Sequence, residues 1–265
     1  MKTQFSTSFI THFYRDIYKI LRNSDSDTTE IWYEVSKISY LKNLDKFEIL
    51  NFINHFNFIK LEKFNYTNYL SIHKVSFVLE SFKYVETDLK LLSNILNYSD
   101  FEALIQQILV ENGYKTVKNF RFSDKSYFKR ETSQSRYEID VIAISQNYIL
   151  LVDAKQWKRK DSFSSINKAA NLQYQRAIAL KNNPEVFSTL IRKILGLRFN
   201  FKKYLPFKIM PIIVTIEENS YRLNENQIPL ISISKLNGFL QELYKYLEFY
   251  NIVEIKKISV QKPII

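Results

Sequence analysis

The chain has 265 residues, 46% apolar and 25% charged, enough material for one large domain or two smaller ones with packed cores. It contains no cysteine, which excludes disulfides, thiolate nucleophiles, iron–sulfur clusters and cysteine-ligated zinc together. Net charge is +11 and unevenly spread: residues 1–99 carry 12 basic against 11 acidic side chains, and residues 100–265 carry 26 against 16.

All three histidines, His12, His55 and His73, lie in the first part. The second part therefore has no Ser-His-Asp triad, histidine base or histidine metal site. Any chemistry there runs on carboxylates, lysine, hydroxyls and a bound hard cation. Its excess positive charge suits a polyanion, most commonly nucleic acid; the plainer alternative is a lysine-rich solvated surface. No stretch reaches the roughly 18 uninterrupted apolar residues of a membrane helix. The first six residues lack the apolar core of a secretory signal. The expectation is a soluble, non-exported, cytoplasmic chain with no membrane partner.

Taken in order, residues 5–22 place Phe9, Ile10, Phe13, Ile17, Ile20 and Leu21 near helical spacing. A turn rich in cap residues follows, then a predicted second helix over 28–41. A third helix is predicted over 45–56, where Asp45 can cap and Glu48 sits three residues on. Segments 58–64 and 69–78 alternate like strands around a turn at residues 65–68. Helices followed by a hairpin predict a winged-helix-like domain over residues 1–95, with DNA docking weighed against a scaffold role that the balanced charge favours. Residues 86–98 read as a helical connector.

A new series starts at residue 99, where Ser99 or Asp100 can cap a helix that runs to about Asn112 and stops at Gly113. Strands are predicted at 114–123, 136–145 and 147–155, a helix at 164–182, strands at 208–216 and 229–234, and a closing helix at 235–250. The α-β-β-β-α-β-β-α order predicts a mixed central sheet flanked by helices, an α/β domain over 96–265.

Within it, Glu138-Ile139-Asp140-Val141-Ile142 opens one apolar strand, and Leu151-Val152-Asp153-Ala154-Lys155 closes the next. A hairpin through Gln146-Asn147 pairs 145 with 148 and so sets Asp140 opposite Asp153, about 4.5–5.5 Å apart at the β-carbons. Two such carboxylates at the end of a buried sheet repel each other unless something positive lies between them. Mg²⁺ or Mn²⁺ answers that need while leaving positions for water and phosphate oxygen. Lys155 could orient or deprotonate the attacking water and stabilise developing charge. Glu102, on the preceding helix, is a candidate outer ligand. The plain alternative is a surface ion pair, Asp153–Lys155, beside unrelated acids.

Asp140, then Asp153-Ala154-Lys155, with Glu102 upstream, resembles the PD-(D/E)XK, or restriction-endonuclease-like, nuclease superfamily, nearest to its Mrr-type and archaeal branch. The resemblance covers about residues 99–250. It implies that Asp140, Asp153 and Glu102 are metal ligands and that Lys155 is the catalytic lysine. The chain departs from that pattern in lacking a proline just before the first aspartate. It also has residues 131–137 where many members have a glycine-rich approach.

Lys158, Arg159 and Lys160, with Arg136, are candidates to grip phosphates. Gln173, on the helix after the motif with Arg176 nearby, resembles a glutamine position in some exonuclease branches and is a further candidate nucleic-acid contact. The basic and aromatic run from Arg192 to Lys208 suits backbone contact plus stacking, or equally a helix with an aromatic core face. The expected function is divalent-metal-dependent hydrolysis of DNA phosphodiester bonds, most simply by an endonuclease, and a homodimer would let two sites address both strands. The alternatives are a DNA-binding protein that keeps the nuclease fold without using it, and RNA cleavage by the same chemistry.

Overall fold

In the computed structural model, which describes residues 6–25, 27–39, 41–42, 44–64, 67–84, 89–124, 135–156, 163–198, 200–216 and 223–258, contacts cluster into two units, Met1–Leu104 and Ile105–Ile265. The division falls within a helix, later than the change in composition suggests. Among the described residues no helix is long and apolar enough to cross a membrane.

The first unit begins with α1 (Thr7–Arg22), capped by Ser6, whose side chain accepts from the Phe9 amide at 3.2 Å. Its buried stripe of Ile10, Phe13, Tyr14, Ile17 and Leu21 faces an aromatic core. There Phe13 meets Phe52 edge to face at 4.8 Å between ring centroids. The predicted second helix does not form. Residues 30–34 are instead β1 (Glu30–Glu34), followed by one tight turn of helix at Val35–Lys37. Ile31, Trp32 and Tyr33 favour a pleated strand, and pairing with a neighbouring strand decides a short apolar run whose period is ambiguous.

The third predicted helix is α2 (Lys46–Ile53), opened by the capping box that Asp45 and Glu48 anticipated: Glu48 N donates to Asp45 at 2.8 Å and Asp45 N to Glu48 at 2.9 Å. Then come β2 (Ile59–Phe64) and β3 (Thr67–His73); Asn65 and Tyr66 of the predicted turn lie outside the described residues. The three strands form an antiparallel sheet in the order β1-β3-β2. The expected strand over 69–78 ends at His73, whose ring accepts from the Ser76 amide at 3.3 Å and so caps α3 (Lys74–Tyr84). A short α4 (Leu89–Ser93) and then α5 (Tyr98–Glu111), in which the division falls, complete the series.

In the second unit Gly113 ends α5 at φ 83°, a left-handed stop that frees the chain to enter β4 (Lys115–Ser123). Next come β5 (Arg136–Ser145), β6 (Tyr148–Lys155), α6 (Phe163–Asn182), α7 (Pro184–Leu195), β7 (Phe207–Thr215), β8 (Leu230–Ser232), α8 (Ile233–Glu242) and β9 (Val253–Ile255). The sheet order is β4-β5-β6-β7-β8, with β9 also on β7. β4, β5 and β6 run antiparallel, whereas β6, β7 and β8 are parallel. β8 takes the last part of β7 and β9 the first, so the two short strands share one edge. α7 and β9 had no predicted counterpart. The run from Arg192 is divided between the end of α7, a tight turn at Phe201–Tyr204 and β7. The closing helix ends at Glu242 and gives way to two tight turns, Leu243–Lys245 and Leu247–Phe249.

One sheet face is packed against α6 and α7, with Ile142, Ile149, Leu151, Phe207 and Ile209 meeting Leu180, Phe187 and Leu190. Residues of the opposite parity, among them Leu150, Val152, Ala154 and Ile212, are also fully buried. Burial on both faces is why β6 and β7 read as continuous apolar runs.

β4 and β5 keep one register from Lys115–Ile144 to Ser123–Arg136, yet the Asn119–Asp140 pair in the middle is missing. Asn119 has φ 53°, in the left-handed region. Ile139 and Ile142 both enter the same core, although strict alternation would put them on opposite faces. The two strands therefore kink together at Asn119 and Asp140, as bulges do beside functional sites.

Candidate active site

The β5–β6 hairpin turns at Gln146-Asn147, and its ladder runs from Ser145–Tyr148 to Val141–Val152. The next residues in that register are Asp140 and Asp153, the juxtaposition the sequence predicted. Both are buried, at 7% and 1% exposure. Beyond the last pair, the Ala154 amide donates to Asp140 Oδ2 at 2.8 Å. A side chain thus takes a strand hydrogen bond where the kink opens the ladder.

Asp153 shares a face with Ile149 and Leu151, which turns it toward α6. Its Oδ1 accepts from Arg176 Nη1 at 2.6 Å, and the same nitrogen donates to Gln173 Oε1 at 2.6 Å. Gln173 and Arg176 stand three apart on α6, hence on one helix face. Lys155 Nζ lies 2.9 Å from Asp153 Oδ2, near enough to pair electrostatically but without the alignment of a hydrogen bond. Two cations thus sit against one buried carboxylate. Leaving such a carboxylate unmatched costs about 3–5 kcal/mol.

Asp140 is the more strained acid. Burial, and then the charge of Asp153, hold its carboxyl above the usual carboxylate range, against the opposing pull of the Ala154 amide, Lys155 and Arg176. Lys155 pairs with Thr215 across to β7, and Thr215 with Ser232 on β8. The site therefore lies at the carboxyl ends of the parallel strands, where open α/β sheets bind their ligands.

The other expected residues are placed differently. Glu102 is buried on α5 in the first unit. Among the described residues no group of three or more His, Cys, Asp or Glu side chains comes together that could hold a metal. Gln173, expected to touch nucleic acid, has no exposed surface and holds Arg176 instead. Arg136 is exposed at the start of β5. Lys158, Arg159 and Lys160 lie outside the described residues. Arg176 is the residue sequence reasoning undervalued. Its signal is an arginine one turn from a glutamine on a helix with four alanines.

The histidines are accounted for locally. His12 bonds the Ser8 carbonyl of its own helix and His55, in the turn after α2, the Asn51 carbonyl, each at 2.7 Å, and His73 caps α3.

Residues 99–216 match the family model for NERD, a nuclease-related domain. This segment contains β4 to β7 and all of Asp140, Asp153, Lys155, Gln173 and Arg176. No curated protein matches the chain. Among solved structures, protein VC1899 from Vibrio cholerae is similar at 11% identity and a TM-score of 0.32, over 92% of this chain and 51% of that one. The chain spans about half the length of that protein.

Proposed function

We propose that the second unit is a restriction-endonuclease-like nuclease that hydrolyses DNA phosphodiester bonds with a divalent metal. What supports this most directly is the pairing of buried Asp140 with Asp153 and Lys155 inside the nuclease-related segment. A structural ion pair needs one acid, whereas a second buried acid beside it raises the cost of both.

The donor set fits a hard cation. It is all carboxylate oxygen, Asp153 Oδ2 carries no aligned hydrogen bond, and burial with the charge of Asp153 disfavours the ionised form of Asp140. Mg²⁺ asks for no more than one or two protein carboxylates. Asp140 and Asp153 would hold it; Mn²⁺ would serve in its place. Bound there, the ion supplies positive charge at the scissile phosphate and activates water. The remaining work falls to the chain. Arg176, fixed by Gln173, keeps Asp153 in one orientation. Lys155, the most accessible member of the cluster, turns from Asp153 to the charge that develops on phosphate oxygen.

In the first unit, α1, β1, α2 and the β2–β3 hairpin support a winged-helix-like reading with α2 and the hairpin offered to DNA. A second reading is a binding protein without cleavage, favoured by the two cations that already compensate Asp153. One experiment separates the readings. The full chain is incubated with linear and circular DNA and matched RNA, in Mg²⁺, Mn²⁺ or EDTA, beside Asp153→Ala. The expected result is metal-dependent DNA cutting, reduced about a thousandfold or more in the variant, with cut circles identifying an endonuclease. Cutting that survives EDTA or the substitution overturns the site. Binding without cutting in every metal favours the second reading.

A further inference from the structure

An aromatic stripe that a globular unit would ordinarily bury is left open beside β8. Phe239, Tyr246, Phe249 and Tyr250 recur at helical spacing, and such a stripe reads as a core face. Instead they line a groove of about 930 Å³ together with β8 and Lys235. Phe249 is 53% and Tyr246 44% exposed, with their rings 6.4 Å apart. The reason is local. α8 ends at Glu242, and two tight turns, Leu243–Lys245 and Leu247–Phe249, replace the further helical turns that would continue the stripe.

The groove opens on the edge that carries the acid pair. Ser232, in its wall, pairs with Thr215, which pairs with Lys155. Two strand spacings put Ser232 about 10 Å from Lys155 along that edge.

We infer that this groove takes unpaired nucleotides, with bases stacked on Tyr246 and Phe249 and the backbone drawn by Lys235, next to a phosphate held at Lys155. The inference deepens the nuclease reading and rests on it for the substrate's class. Flat rings and a cation suit single strands, because a duplex hides its base faces while an unpaired strand offers them. The excess of basic side chains after residue 99 draws a polyanion to this unit. Glu242, which also lines the groove, has Lys245 at 3.7 Å. A protein strand is the poorer occupant, because β8 has three residues and follows Pro229, both devices that blunt an edge against strand addition.

The test reads binding with no metal present. Fluorescence anisotropy in EDTA compares a labelled oligothymidine with a hairpin duplex of equal length, using the full chain and its Tyr246→Ala/Phe249→Ala and Tyr246→Leu/Phe249→Leu variants. Both rings are exposed, so thermal melts are expected to stay unchanged. The single strand is expected to bind more tightly than the duplex, and each double variant to lose about tenfold or more of that affinity. Leucine, apolar but not flat, is expected to restore little. Equal binding by the variants, or preference for duplex, overturns the inference, as does a wild-type dimer that the substitutions dissolve. Cleavage by the unsubstituted chain in Mg²⁺ is scored separately. The groove can thus fail while the nuclease stands, or hold single strands while the nuclease reading fails.

Discussion

Asp140 is where burial and like charge act against each other most plainly. Its folded-state carboxyl titrates above the ordinary value of 3.8, with burial the larger cause and Asp153 the next. A group shifted upward contributes stability that is present below its unfolded pKa and lost as pH rises through the folded one. Without a divalent ion, Asp140 therefore costs the fold stability as pH rises through its raised folded-state value. Asp140→Asn keeps an oxygen to accept from the Ala154 amide but carries no charge. In EDTA the variant is expected to melt above the unsubstituted chain at pH 7, with the gap narrowing as pH falls toward 3.8. Identical melting temperatures at pH 7 would mean that Lys155 and Arg176 fully compensate the second acid, leaving no electrostatic vacancy for a metal to fill.

The elements record which signals a sequence carries and which it does not. The β5–β6 register was legible because a two-residue turn fixes it, and the Asp140–Asp153 juxtaposition came with it. The Asp45–Glu48 box was legible because capping is local chemistry. The segment 28–41 misled because a short apolar run takes its state from its neighbours, here β3. The Arg176 bond to Asp153 was invisible, since nothing in a linear sequence says how far a helix slides along a strand. Neither was the kink legible, although Asn119 is a residue type that tolerates positive φ. Its exposed side chain makes it a clean probe of backbone strain. Asn119→Val is expected to destabilise the chain by about 1–2 kcal/mol in urea melts, because a β-branched residue resists the left-handed region. Asn119→Gly should stay within a few tenths of a kcal/mol of the unsubstituted chain. Because the kink delivers Asp140, the valine variant should also lose activity while the glycine variant keeps it. Equal stability of the two would remove the kink from the account of the site.

At the scale of the molecule, charge and chemistry are divided along the chain. The first 99 residues are near balance and the rest carry almost all the excess. Counterion release turns such an excess into a measurable slope, because each phosphate neutralised lowers the log–log dependence of affinity on salt by about 0.9 on duplex DNA. A site whose surroundings neutralise four to six phosphates gives a slope of about −4 to −5, a loss of several hundredfold between about 50 and 200 mM salt. Lys158, Arg159 and Lys160 follow the motif after Gln156 and Trp157 and are the strongest sequence candidates for part of it. Replacing all three with glutamine in the Asp153→Ala background is expected to make the slope shallower by about 2–3, with binding weakened alike on unrelated duplex sequences. If the triple variant keeps the parental slope, phosphate contact belongs elsewhere on the basic surface, and those three residues are only solvated charge. The comparison needs no cleavage, so it holds whether or not the site turns over.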